Sequence, residues 1–351
     1  MKICIIGAFG FDMIEKTTGG QPVKTRQLFY TLTDHYGKEN ITYIETYGWK
    51  SHPIQMLTNI FHEAQKSDVM IMLPAHNGVQ IFARLLVYCK KKYGIRIFYD
   101  VIGGWLHEKL HKDGALRKKL MKFDGLWVET SSMMISLVSQ GFKNVSVIPN
   151  FKNLVCLDPS QFPKEYSEPY KVCTFSRVTE KKGIEEAICC IQSVNCKYNR
   201  KVYELDIYGQ VDENYESHFY ELLRGAGECV NYKGVVSPSE SVNILKDYFA
   251  LLFPTKFYTE GIPGTIIDAY TAGVPIITSL WCNAEDVFEE GVTGWGYEFG
   301  NSAQFEALLD KASQLPNEFL KMKESCLIRS HNYHPDNVIK KIDSLILLDN
   351  K

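Results

Sequence analysis

Two acids, Glu260 and Asp268, lie eight residues apart around a glycine-rich turn, Gly261–Gly264. The apolar run Ala250–Phe253 precedes them and predicts a buried parallel strand. The turn leads into a predicted helix, whose first backbone N–H groups have no partner within the helix and suit phosphate. Because carboxylates suit sugar and ribose hydroxyls, this segment predicts a clamp for a sugar nucleotide.

The same segment resembles the C-terminal signature of retaining glycosyltransferases of family 4, also called glycosyl transferases group 1. That signature consists of an acid, a seven-residue glycine-rich stretch, a second acid, and a helix of small residues that ends in G-x-P-hydrophobic. In this chain the first acid is Glu260, the glycine-rich stretch is GIPGTII and the second acid is Asp268. The helix and its end read AYTAGVPIITS. The second acid departs from the usual Glu and reaches one methylene less far. The resemblance implies that Glu260 holds hydroxyls of the donor sugar and that Asp268 holds the ribose. It also assigns the sugar or phosphate to the N–H groups around Ile262 to Thr265, a turn in which Pro263 itself has no N–H and Gly264 follows it.

A basic pair, Arg177 and Lys182, lies in the stretch TFSRVTEKKGIEEAI and resembles the family's Arg-then-Lys-Gly element. The resemblance assigns both cations to the donor diphosphate, whose negative charge grows as the leaving group departs. Lys181 is an alternative, but Lys182 directly precedes Gly183, as in the family.

Several glycines match positions where the family brings backbone close to the donor. Gly209 ends a predicted strand, and the backbone around Tyr232 and Gly234 is placed beside the base. Gly19 and Gly20 resemble the family's Gly-Gly loop, which approaches the donor phosphates from the first domain. A nicotinamide site is less consistent with the sequence, because the first strand is not followed by G-x-G-x-x-G.

The acceptor side is expected after the fourth strand, in YDVIGGWLHEKL. Many family members have a histidine close to the end of this strand, where this chain has Gly103 and Gly104. His107 is the nearest histidine and remains a candidate catalytic residue. Trp105 is a candidate apolar platform for a sugar face.

The segment from Leu106 to Phe123 is basic, with six Lys or Arg against two acids, a local net charge of +4. Leu110, Leu116, Leu120, Met121 and Phe123 predict an apolar side. The alternatives are a solvated helix that covers the sheet, and a surface, Lys109–Lys122, that docks on an anionic membrane or meets a lipid diphosphate.

Strand and helix patterns alternate along nearly the whole chain and predict parallel sheets covered on both sides. The first series of strands is Lys2–Gly7, Ile41–Thr46, Asp68–Leu73, Ile95–Ile102, Gly125–Glu129 and Val145–Ile148; the second is Lys171–Phe175, Tyr203–Tyr208, Cys229–Tyr232, Phe249–Phe253 and Val274–Thr278. Residues 1–150 should form an acceptor domain, 151–170 a proline-rich linker and 171–334 a nucleotide-sugar domain. The resemblance implies the α/β GT-B fold, two doubly wound Rossmann-like domains facing a cleft, with a C-terminal helix near 335–351 crossing back to the first domain.

Composition sets further limits on location and partners. Of 351 residues, 45% are apolar and the formal net charge is −2, which gives no general case for binding nucleic acid. The ten cysteines lack paired metal-site spacing and favour a reducing compartment. No signal peptide or membrane span is evident, so a cytoplasmic protein with at most peripheral membrane contact is expected.

The resemblance therefore predicts a retaining glycosyltransferase that needs no metal or cofactor. Its donor would be a UDP- or GDP-linked sugar, and its acceptor a hydroxyl of a glycan or lipid-diphosphate-linked glycan in cell-surface polysaccharide synthesis. Two alternatives remain open: a catalytically silent nucleotide-sugar-binding subunit and a sugar-nucleotide epimerase of the same fold.

Overall fold

The computed structural model describes residues 1–12, 20–76 and 78–347, which form two compact units. The first unit comprises Met1–Asn153 and Pro335–Lys351, and the second comprises Leu154–His334. Each has its own parallel sheet and hydrophobic core.

The first unit contains a six-stranded sheet in the order β2-β1-β3-β4-β5-β6. Its strands confirm the first predicted series: β1 Ile3–Gly7, β2 Ile41–Glu45, β3 Val69–Met72, β4 Arg96–Asp100, β5 Gly125–Val128 and β6 Val145–Val147. The connecting helices are α1 Gly20–Tyr36, α2 Pro53–Ala64, α3 Val79–Tyr93, α4 Leu106–Lys112, α5 Gly114–Leu120 and α6 Ser131–Ser139. The four central strands, β1, β3, β4 and β5, are almost fully buried, as expected of a sheet covered on both faces, whereas the edge strands β2 and β6 are partly exposed.

The second unit contains a parallel sheet in the order β12-β11-β10-β7-β8-β9. The strands are β7 Tyr170–Phe175, β8 Tyr203–Tyr208, β9 Val230–Gly234, β10 Ala250–Phe253, β11 Ile276–Leu280 and β12 Gly294–Glu298. The helices are α7 Ile184–Tyr198, α8 Glu216–Gly225, α9 Ser241–Leu245, α10 Gly264–Thr271, α11 Ser302–Gln314 and α12 Pro316–Ser330. The sequence predicts the first five strands of this unit; β12 was not predicted.

The C-terminal helix, α13 (Pro335–Leu347), belongs to the first unit, as predicted. Its apolar stripe, which includes Val338 and Ile342, is buried with Ile3 and Leu28 in the core beside β1 and α1.

The structure corrects the predicted linker at 151–170. Residues 154–169 pack on the second unit: the Leu157 N–H donates to the Thr271 carbonyl at 3.0 Å, and the Tyr166 ring packs against Phe249 at 5.0 Å. The three prolines of this region, Pro159, Pro163 and Pro169, disfavour long helices and strands, but apolar residues between them are still partly buried.

Within the described residues, no helix has both the length and the apolar composition needed to cross a membrane.

Candidate active site

The Arg177–Lys182 loop and the Glu260–Gly264 turn follow two adjacent strands, β7 and β10, of the second sheet. From β7 the chain proceeds toward β8 and β9, whereas from β10 it proceeds toward β11 and β12, so the sheet changes direction between these two strands. Crevices at the carboxyl ends of strands beside such a reversal are where α/β sheets bind ligands. The topology therefore brings the predicted basic pair and the first predicted acid to the same crevice.

The side chains of Lys182 and Glu260 meet there directly. The Lys182 ammonium lies 2.9 and 3.0 Å from the two carboxylate oxygens of Glu260. The two side chains retain 21% and 15% of their exposure, and the ammonium also lies 5.3 Å from the centre of the Phe253 ring. Lys181 is exposed and forms no such pair, which favours Lys182 among the two lysines. A half-buried ion pair open to solvent can exchange one partner for a charged ligand.

Backbone contacts hold the two loops in register. Gly183 has φ 68°, and a Cβ at this position would lie 1.9 Å from the Pro254 carbonyl oxygen, so only glycine fits. The Lys256 N–H donates to the Lys181 carbonyl at 2.8 Å. The Asn283 side-chain amide donates to the Glu260 carbonyl at 2.6 Å. These contacts fix the ion pair to the sheet, and no motif in the sequence marks Asn283 as part of the site.

Arg177 is the most exposed of the predicted charged residues in this unit. Its side chain keeps 55% of its exposure, and its guanidinium lies 4.0 Å from a carboxylate oxygen of Asp212. Surface pairs of this kind contribute little stability. The guanidinium is therefore available to an anion at the crevice.

Helix α10 begins at Gly264 and places Asp268 on its inner side. Asp268 is only 2% exposed and accepts a hydrogen bond from the Ser241 hydroxyl at 3.1 Å. The Ile262 side chain is buried in the core, so a ligand could contact this residue only through its backbone. The hydroxyl of Thr265, in the first turn of α10, is buried without a hydrogen-bond partner among the described residues.

Gly209, Tyr232 and Gly234 lie together at the ends of β8 and β9. The Tyr232 hydroxyl donates to the Gly209 carbonyl at 2.9 Å, and the Gly209 N–H donates to the Gly234 carbonyl at 2.8 Å. A Cβ at position 209 would lie 1.9 Å from the Ser176 carbonyl oxygen, beside Arg177. Gly209 thus permits the close approach of this loop to the loop that carries Arg177.

In the first unit, Gly20 begins α1, and Gly103 and Gly104 follow β4. Gly19 lies outside the described residues. Gly103 has φ 78°, which a residue with a side chain rarely adopts. His107 lies in the first turn of α4; its Nδ1 atom is buried without a partner among the described residues, while its carbonyl accepts from the Gln140 amide at 3.0 Å.

The structure corrects the assignment of Trp105 as a sugar platform. Its side chain is packed in the core and the residue is 8% exposed, with the ring stacked on His76 at 3.7 Å between centroids. The Lys109 ammonium lies 5.5 Å from the ring centre, and the indole N–H donates to the Ile102 carbonyl at 2.8 Å. A ring covered in this way offers no free face, because the α4 sequence buries Trp105 with Leu106 and Leu110.

A buried charge cluster near the carboxyl edge of the first sheet was not predicted. The Lys24 ammonium lies 2.8 Å from Asp100 and 3.0 Å from Glu129, and all three side chains are almost fully buried. Burial alone would lower the pKa of Lys24, but the two carboxylates together raise it. Burial raises the pKa of Asp100 to about 6, although Lys24 opposes that shift, and the second oxygen of Asp100 has no partner among the described residues.

Comparison with known proteins agrees with this architecture. Residues 159–326, which lie wholly within the second unit, match the family described as glycosyl transferases group 1. The amylovoran biosynthesis glycosyltransferase AmsK of Erwinia amylovora is 24% identical over 151 residues. That match covers 42% of this chain and 37% of the relative's length.

Solved structures match over nearly the whole chain. The apo lipopolysaccharide outer core galactosyltransferase WaaB has a TM-score of 0.73 at 17% identity and covers 99% of both chains. HepE of Anabaena in complex with UDP-glucose has a TM-score of 0.74 at 13% identity and covers 99% of this chain and 100% of its own. The predicted fold class is confirmed: the chain has the two parallel-sheet units of the GT-B fold.

Proposed function

We propose that this protein is a retaining glycosyltransferase that moves a sugar from a UDP- or GDP-linked donor to a hydroxyl acceptor. The observation that carries this proposal is the solvent-accessible Lys182–Glu260 pair at the reversal of the second sheet, within the segment that matches glycosyl transferases group 1. The solved structures of HepE with UDP and with UDP-glucose support a nucleotide sugar as the donor.

The charges of the second unit suit departure of a nucleoside diphosphate. In the proposed reaction the bond between the anomeric carbon and the diphosphate oxygen breaks, and the acceptor oxygen forms the new bond on the same face. A phosphate oxygen takes the acceptor proton, so no protein base is needed. Arg177 and Lys182 would stabilise the charge that builds on the diphosphate, an effect that is largest in the transition state.

The remaining groups would bind the donor. When Lys182 turns to the diphosphate, Glu260 is released to accept hydrogen bonds from sugar hydroxyls. The N–H groups that begin α10, at Gly264 and Thr265, would also suit an anion, because the first turn of a helix leaves its N–H groups without intrahelical partners. Asp268 would accept a hydrogen bond from a ribose hydroxyl, either in place of the hydrogen bond from the Ser241 hydroxyl or in addition to it. No metal is assigned a role, and we expect full activity in the presence of a chelator.

The acceptor is proposed to be a glycan or a lipid-diphosphate-linked glycan, with the basic segment Lys109–Lys122 at an anionic membrane surface. The AmsK match, whose name records polysaccharide biosynthesis, supports a role in making a cell-surface polysaccharide.

The test begins with a panel of UDP- and GDP-linked sugars, scored by the rise in melting temperature and by donor consumption. Arg177→Ala and Lys182→Ala should each lower kcat/KM by about 10²–10³, the usual cost of losing a focused electrostatic donor. Lys181→Ala is the matched control, because Lys181 is adjacent and exposed but unpaired with Glu260. Full activity in both Arg177→Ala and Lys182→Ala would show that neither residue belongs to the active site.

The same assay separates the alternatives. A silent subunit would bind a donor and neither transfer nor hydrolyse it. An epimerase would return an isomerised sugar nucleotide without an acceptor. Retention is read from the anomeric configuration of the product, and an inverted product would contradict it.

A further inference from the structure

The first unit contains a cavity of about 460 Å³ between the edge strand β2, the turn that follows it and helix α2. No further strand of the described chain pairs with the outer side of β2, so this side of the sheet leaves room for a ligand. The volume lies in the range of small-molecule sites, about 300–1,000 Å³. The described residues that are proposed to bind the donor do not line this cavity, which we call the β2–α2 cavity.

Helix α2 contributes a row of polar side chains to the β2–α2 cavity. His52 immediately precedes the helix, and Gln55, Asn59 and His62 follow at intervals of three or four residues. Residues at these intervals lie on one face of a helix. Another face is used by the core, where Ile60 is fully buried. The side-chain amides of Gln55 and Asn59 are exposed and form no hydrogen bond with a described residue, so both are available to a ligand.

The turn after β2 contributes two aromatic residues to the same cavity. Tyr47 is 56% exposed, and its ring contacts no other aromatic ring of the described chain. Trp49 is partly buried with its ring edge-on to Phe82 at 5.5 Å between centroids, and its indole N–H has no hydrogen-bond partner among the described residues. An aromatic ring with a free face beside hydrogen-bonding groups suits a sugar, whose ring combines an apolar C–H face with hydroxyls.

The charges at the β2–α2 cavity disfavour an anionic ligand. Glu45 and Glu63 line it, and none of the described residues that line it is Lys or Arg. The Glu45 carboxylate is occupied, because it accepts the N–H groups of Tyr47 and Gly10, each at 2.7 Å. Glu63 accepts the Thr42 hydroxyl at 2.8 Å with one oxygen, and its other oxygen has no partner among the described residues. A phosphate or a carboxylate would meet like charge here, whereas an uncharged hydroxyl can donate to Glu63.

We propose that the β2–α2 cavity binds an uncharged sugar residue of a glycan. The Tyr47 ring would pack against the apolar face of the sugar. The amides of Gln55 and Asn59 would both donate to and accept from its hydroxyls, and Glu63 would accept from one of them. A peptide added as a strand to β2 would bind mainly through backbone groups, so it would not depend on these side chains. That the sugar belongs to the acceptor rests on the proposed function, but its binding depends on the first unit alone.

The test is saturation-transfer NMR of the full chain with glucose, galactose, mannose and N-acetylglucosamine, each without a nucleotide and each compared with its uronate. Wild type should transfer saturation to at least one of these sugars, mostly to the C–H protons of one ring face, because Tyr47 covers that face. The uronate of that sugar should bind several-fold more weakly, since the carboxylates of the cavity repel it.

Two variants with matched controls locate the sugar. Tyr47→Ala should weaken its binding by about tenfold, a typical loss when a central aromatic contact is removed. Asn59→Leu keeps the side-chain volume, removes the amide and should weaken binding several-fold. Tyr88→Ala removes a tyrosine of α3 that is equally accessible at 53% exposure, and Thr58→Val changes the exposed residue beside Asn59; neither residue lines the cavity, and both variants should bind as wild type does.

Three results would overturn the proposal. They are the absence of saturation transfer to every sugar in wild type, equal losses in the target and control variants, and an uronate that binds as tightly as its parent sugar.

The rise in melting temperature with UDP tests the donor separately, because the groups proposed to bind the nucleotide lie in the second unit. Sugar binding without a UDP response would refute the proposed donor and leave the β2–α2 cavity standing, whereas a UDP response without sugar binding would refute the cavity alone. In the transfer assay, Tyr47→Ala should raise KM for the acceptor and leave KM for the donor unchanged. An unchanged KM for the acceptor would overturn the assignment of the bound sugar to the acceptor.

Discussion

The carboxyl ends of both sheets bring a lysine against carboxylates, but the two sets of charges differ in their access to water. In the first unit, Lys24, Asp100 and Glu129 are closed off in the interior. In the second unit, Lys182 and Glu260 pair equally closely yet remain partly exposed. Burial makes the first set a fixed part of the fold, because separating buried charges is costly. Exposure leaves the second set free to change partners, and this is the property that a binding site needs.

Replacing each lysine by methionine tests this difference directly, because the stability loss should be much larger at Lys24 than at Lys182. Lys24→Met leaves two carboxylates buried without a cation and should lower the free energy of unfolding by about 3–5 kcal/mol. Lys182→Met leaves Glu260 near water and should cost about 1 kcal/mol or less. Urea unfolding, followed separately for the two units by hydrogen exchange, measures both losses.

A double variant, Lys24→Met with Asp100→Asn, provides a second measurement in case Lys24→Met alone does not fold. Adding Asp100→Asn removes one of the two unpaired carboxylates and should recover part of the lost stability. Equal losses for the two methionine variants, or no recovery in the double variant, would show that burial does not distinguish the two sets.

The pH dependence of stability should also show that the charge cluster of the first unit is buried. The folded-state pKa of Asp100, about 6, lies above its unfolded value of about 4, so folding takes up a proton on this group. Its contribution to stability is therefore present in acid and is lost as pH rises from about 4 to about 6. The difference in unfolding free energy between wild type and Asp100→Asn should fall by about 2–3 kcal/mol over that window.

Asp113→Asn provides the control of opposite sign. The Leu116 N–H lowers the pKa of the partly exposed Asp113, so the contribution of Asp113 to stability is present above its unfolded pKa and is lost as pH falls. The same sign for both variants would contradict the role of burial at Asp100.

Most of the fold could be predicted from the sequence because the central strands of a parallel sheet need runs of apolar residues, which β1 (ICIIG), β3 (VMIM) and β10 (ALLF) supply. Strand β12 reads GWGYE and has no such run. Its glycine serves the sheet differently: a Cβ on Gly294 would lie 2.0 Å from the Ile276 carbonyl oxygen, so β12 depends on a close approach that only the folded neighbour reveals.

The candidate site was predictable where its residues lie close along the chain and follow a known motif, as Glu260 and Asp268 do. Lys24 pairs with carboxylates 76 and 105 residues away, and nothing local to Lys24 marks it for burial. Trp105 was misassigned for a related reason. A tryptophan beside two glycines suggests an exposed ring, and the sequence does not show that His76, 29 residues earlier, stacks on it. Asn283, similarly, contacts Glu260 through a loop that carries no motif.

The central claim is that the crevice at the reversal of the second sheet binds a nucleoside diphosphate. Calorimetric titration of UDP and GDP into wild type, Asp268→Asn and Glu260→Gln tests it most directly. Asp268→Asn should weaken binding by about 1.5–3 kcal/mol, the cost of a lost charged hydrogen bond, whereas Glu260→Gln should leave binding of the sugar-free nucleotide nearly unchanged and lower turnover. Equal effects of the two changes on binding, or no binding of either nucleotide to wild type, would contradict the claim.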